Sequence, residues 1–97
     1  MLISFLVGYV ICHAIVSMIV EISIRIVNYW NARQEIRQKA SERIGKPISF
    51  LEVINKFPQE HDEEVMEVKA FDAHNNVIAK INVTAENRTL LKVGQRF

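Results

Sequence analysis

Four side chains in the middle of the chain have the types that hold metals: His61, Asp62, Glu63 and His74. Their spacing does not fix a geometry. No helical H-x-x-x-H pair and no cysteine set accompanies them, and a run of acids in a loop needs no metal to exist. Nucleophilic chemistry has less support. The one cysteine, Cys12, lies within an apolar run, and no serine sits in a G-x-S-x-G elbow. The three glycines form no phosphate-cradling loop. From these residues neither an enzyme, a cofactor nor a metal is expected, and binding is left as the class of function.

The elements that would position a binding surface start with residues 1–20, MLISFLVGYVICHAIVSMIV. No acidic or basic side chain interrupts them. As a helix rising 1.5 Å per residue they would span roughly 30 Å, the thickness of a bilayer's hydrocarbon core. The expectation is a single N-terminal transmembrane helix, with its interface, over residues 1–30. A cleaved signal peptide is the weaker reading, because nothing basic precedes the run and Cys12-His13-Ala14 is a poor cleavage site. Arg25, Arg33, Arg37, Lys39, Arg43 and Lys46 all follow the run. The positive-inside rule then puts the N-terminus outside and the C-terminal module in the cytoplasm of a cell membrane, the inner membrane in a bacterium. Tyr29 and Trp30, with Arg33 and Arg37, would anchor the inner interface.

Two strips separate on such a helix. Ser4, Gly8 and Cys12 recur every fourth residue and would let another helix approach closely. His13, Ser17 and Glu21 form a polar strip, on which a neutral His13 hydrogen-bonded to a neighbour is favoured over a proton relay. Glu21 and Arg25 would pair at i,i+4.

Residues 21–26 carry two messages. Ile22, Ile24 and Ile26 alternate with Glu21, Ser23 and Arg25, the period of a strand. A strand continuing a bilayer helix would leave backbone groups unsatisfied, so helix is preferred here. It runs on into a juxtamembrane helix over 31–46, with Ile36, Ala40 and Ile44 on one face, Glu35–Lys39 and Glu42–Lys46 as ion pairs, and Gly45 then Pro47 as its stop.

Residues 47–97 read as a small α+β module. Ser49 and Glu52 fit a capping box, with Phe50, Ile54 and Phe57 on one face, which predicts a short amphipathic helix over 50–57. The runs 65–71 and 77–83 alternate around an Asn-rich connection, predicting an antiparallel hairpin. Residues 88–93 would make it a three-stranded meander, or belong to a final helix begun at Thr84.

Charge is distributed unevenly. Residues 21–46 hold six basic side chains against three acidic ones, 47–72 two against seven, and 73–97 four against one. The modest basic end, without a reader motif, gives no case for nucleic acid. Asn82-Val83-Thr84 and Asn87-Arg88-Thr89 are formal glycosylation acceptors, better explained as strand and turn residues in the expected topology.

The function expected is therefore a membrane-anchored binding or regulatory protein acting on another membrane protein or complex. A bacterial or bacteriophage modulator of a channel has this style. The alternatives are a holin-like homo-oligomer built through the small strip, and a structural accessory subunit of a membrane complex.

Overall fold

The computed structural model describes residues 19–97, apart from the side chain of Tyr29. Strand β1 (Val20–Ile26) opens the domain, and a 3₁₀ turn at Tyr29–Asn31 leads into helix α1 (Ala32–Ile44). Strands β2 (Phe50–Pro58), β3 (Glu64–Phe71) and β4 (Val77–Ala85) follow, in the sheet order β1-β4-β3-β2. β2, β3 and β4 form an antiparallel meander, and β1 lies parallel to β4. The parallel pair needs a crossover, which α1 begins.

This architecture overturns the expected membrane helix in the part that is described. Residues 20–26 are a strand, and among the described residues no helix is long and apolar enough to cross a membrane. The single-pass topology, its cytoplasmic module and the bilayer interface at Tyr29 and Trp30 lose that support. The alternation in EISIRI decided the matter because β4 supplies what a helix continuation could not. Ile22, Ile24 and Ile26 pair with Ile81, Val83 and Ala85, so every second side chain enters one core. The backbone groups of Ile22, Ile24 and Ile26 face β4, where the Ile26 carbonyl accepts the N–H of Glu86. Residues 1–18, with the small strip Ser4, Gly8 and Cys12 and the polar His13 and Ser17, lie outside the described residues.

The short amphipathic helix over 50–57 is likewise absent, and β2 stands in its place. Its capping box was a local signal, and non-local pairing overrode it. Leu51 and Val53 are buried at period two, and Phe50 stacks on Phe71 of β3 with ring centroids 4.6 Å apart. Strands stand at the two runs read as a hairpin. Residues 88–93 are neither the expected strand nor a helix. Instead the tail beyond them covers the outer edge of β2. Leu51 and Phe97 exchange backbone bonds of 2.8 and 2.9 Å, and Val53 donates to Gln95 while accepting from Gly94.

All of the core sits on one side of the sheet. Ile36 and Ala40 of α1 press on it, chiefly over β1, beside Ile26, Met66, Val68, Ile81, Val83 and Leu91. Gly45 ends α1 in the left-handed conformation at φ 70°, its N–H on the Ser41 carbonyl. The expected Glu35–Lys39 pair does not form. Glu35 reaches back to the N–H groups of Val27 and Asn28, and Lys39 donates to the Arg25 carbonyl. Both side chains tie β1 to α1. Arg37 does the same for the opposite end, donating to the carbonyls of Ile48, Ser49 and Phe97. Arg37 is thus a clamp within the fold.

The hairpin connection is organised by Asp72. Its Oδ1 accepts the N–H groups of His74 (2.8 Å) and Asn76 (3.0 Å), and Asn75 takes a positive φ of 61°. The Asn76 N–H, then that of His74, holds the Asp72 carboxyl below its ordinary value. A depressed folded-state value means that the carboxylate's stabilisation is present above the unfolded value and is lost as pH falls through the folded one. The stability gap between the natural chain and Asp72→Ala should therefore narrow as pH drops from about 6 to about 2, measured by urea unfolding.

Candidate interaction site

Three surface features are candidates, and the fold decides what each can do. The first is the sheet face opposite α1. Glu21, Ser23 and Arg25 share it with Lys80, Asn82 and Thr84 of β4, and with Val65, Glu67 and Lys69 of β3. A depression of about 370 Å³ there is lined by Glu21, Ile54, Glu67, Lys69, Lys80 and Asn82. Lys69 and Lys80 stand directly opposite each other in the register of β3 and β4. Glu21 flanks Lys80 and Glu52 flanks Lys69, but Glu52 is bound to Arg96 at 2.8 Å. With two carboxylates and two ammonium groups on its wall, the depression selects no charge.

The opposed lysines cost stability, because like charges directly across a ladder repel. Because Lys80 keeps Glu21 opposite it while Glu52 is engaged by Arg96, Lys69→Thr should stabilise the domain by about 0.5 kcal/mol, with a smaller gain at high salt. Chemical unfolding at two ionic strengths reads this.

The second feature is apolar. Trp30, in the turn between β1 and α1, is 71% exposed, and Leu90 is 86% exposed. Together with Ala32, Arg33, Leu91 and Gln95 they line a notch of about 120 Å³. The local cause of Leu90's exposure is simple. In the segment after β4 Leu90, at a bend, is left outside, while Thr89 and Leu91 on either side of it turn inward and are buried. Leu91 is held there by Lys56, whose Nζ donates to the Leu91 carbonyl at 2.6 Å and to that of Thr89 at 3.3 Å. Arg33, in the first turn of α1, is exposed beside the notch.

The third feature is the outer edge of β1. A groove of about 310 Å³ runs along it, lined by Ser23, Ile24 and Arg25 on the strand and by Lys39, Glu42 and Arg43 on α1. Arg25 is held on the open face by Glu86, with Nε on Oε1 at 3.1 Å, and by Glu63 at 3.3 Å. These hydrogen bonds, that to Glu86 foremost, raise the guanidinium above its ordinary value.

Among the residues singled out from the sequence, the structure thus brings Trp30 and Arg33 to one notch. It sends Arg37 to the tail and Glu21 to the open face. Tyr29 lies in the turn beside Trp30. Glu21 and Arg25, four residues apart on a strand, do not pair. Sequence reasoning did not single out Leu90. Its signal was the doublet Leu90-Leu91 in a segment with no helical period, where only one leucine can turn inward. Among the described residues no three His, Cys, Asp or Glu side chains gather as a metal site.

Comparison of the chain with protein-family models, with curated proteins and with solved structures found no match. The surface chemistry is therefore the ground for a functional reading.

Proposed function

We propose that this chain is a protein-binding module that acts on a partner through the Trp30–Leu90 notch. One observation carries the reading: an exposed tryptophan and an exposed leucine flank the same notch, with an arginine at its side. Tryptophan and arginine are the side chains that dominate binding energy at protein interfaces, and exposed apolar clusters of this kind mark docking surfaces. The partner chemistry that fits is an apolar pocket with an acidic rim, the pocket taking the indole and Leu90, the rim meeting Arg33. Rigidity favours the notch as well. α1 begins at Ala32, and Leu91 is locked into the core, so both walls are fixed before a partner arrives.

A photo-crosslinking amino acid at position 90 tests this in the cells that make the protein. It should yield a discrete adduct with another protein, absent when the crosslinker stands at position 80 on the open face. Trp30→Ala should weaken the purified pair by about 2 kcal/mol, roughly thirtyfold in Kd. Adducts equally strong from both positions, or a Kd unmoved by Trp30→Ala, would remove the notch as the binding site.

A further inference from the structure

The two outer edges of the sheet are treated differently. The tail at 94–97 covers that of β2, whereas no described strand covers that of β1. Because the Ile26 carbonyl faces β4, the alternation of a strand turns the N–H and C=O groups of Glu21, Ser23 and Arg25 outward. Among the described residues the only hydrogen bond to these six groups is the one from Lys39 to the Arg25 carbonyl.

The sequence of this edge is self-complementary. An antiparallel pairing centred on Ser23 sets each residue against a matching one in a second copy. On the open face Glu21 meets Arg25, and Ser23 meets Ser23. On the core face Val20 meets Ile26, and Ile22 meets Ile24. Each register position therefore joins opposite charges, two hydroxyls or two aliphatic side chains, the pairs that stabilise a ladder. The outward backbone groups are also those an antiparallel partner needs, giving about six hydrogen bonds across the junction. A carbonyl has two lone pairs, so Arg25 can keep Lys39 while accepting from the partner strand. Glu86 and Glu63 hold the Arg25 guanidinium in place and leave donors over for Glu21 of the second copy.

We infer that the occupant of the β1 edge is a second copy of this chain, joined by a two-fold axis at Ser23 into one eight-stranded sheet. The contact is isologous, so it closes at two copies and consumes both free edges. Val20 and Ile22, only partly buried within one copy, become covered. The groove beside the edge, walled by Lys39, Glu42 and Arg43, then lies along the junction.

The test uses the full chain with Cys12→Ser. Adding Ser23→Cys should give a disulfide-linked dimer on mild oxidation, since the hydrogen-bonded pair at the axis has Cα atoms about 5.5 Å apart, within disulfide range. Asn82→Cys, one strand inward on the same face, should give at most a tenth as much. Its copies lie three strand spacings, about 14 Å, apart. Ser23→Pro should shift sedimentation from dimer to monomer with an unchanged circular dichroism spectrum, because the N–H it removes faces outward. No excess of linked Ser23→Cys dimer over the Asn82→Cys control, or Ser23→Cys captured by a different protein instead, overturns the proposal. So does a dimer that survives Ser23→Pro. The crosslink decides the question even if the proline variant fails to fold.

Discussion

Ile24→Asp should unfold the domain, whereas Ser23→Asp, one residue earlier, should change the stability of a single copy, measured on the monomeric form, by less than about 0.5 kcal/mol. Ile24 is buried against Val83 and the α1 side of the core. Removing its side chain forfeits about 2–3 kcal/mol of burial, and a carboxylate at that site adds a desolvation cost of several more. A domain of this size has only about 5–10 kcal/mol to lose. Ser23 is exposed on the open face, where a carboxylate meets water and Asn82. A helix at bilayer depth would make both substitutions costly, so the contrast between neighbours separates strand from span. Urea unfolding followed by circular dichroism measures it.

The second large effect belongs to Glu64. It is only 2% exposed, and its carboxylate accepts the Thr89 N–H at 2.9 Å, the Thr89 hydroxyl at 2.7 Å and the Lys56 ammonium at 3.3 Å. Lys56 in turn holds the carbonyls of Thr89 and Leu91. These groups fasten the segment after β4 to the end of β3. Glu64→Ala should destabilise the domain by about 3–5 kcal/mol, since it strands an ammonium group and a buried N–H. Glu64→Gln keeps an acceptor for Thr89 and should cost less. The loss should be local first. In hydrogen exchange the amides of Leu91, Gln95 and Phe97 should open before those of Ile81 and Val83. The same release would free Leu91, so binding at the Trp30–Leu90 notch should weaken with it.

How much of this was legible in the sequence depends on the range of the deciding interaction. α1 and its stop at Gly45 are local, written in the spacing of Ile36, Ala40 and Ile44, and strands stand at the alternating runs before and after Asp72. β1 carried the right period in Ile22, Ile24 and Ile26, but the apolar run beside it argued for a helix. The evidence for a strand was the matching alternation in Ile81, Val83 and Ala85, more than fifty residues away. β2 failed for the opposite reason. Ser49 and Glu52 made a plausible local cap, while Phe71, Ala70 and Val68 made the strand. The candidate site divides in the same way. Trp30 and Arg33 stood out by type, although for a bilayer role, and only the turn before α1 joins them to Leu90. The facing lysines Lys69 and Lys80 exist only through register, which no local pattern states.

The most direct test of this account is a set of nuclear Overhauser contacts in the full chain between residues 20–26 and β4. Cross-peaks from Ile22 to Ile81 and from Ile24 to Val83, with the extended-strand shifts of residues 20–26, are the predicted result. Helical shifts through 20–30, with contacts at i,i+3 and none to β4, would contradict it and remove the β1 edge together with the sheet built on it.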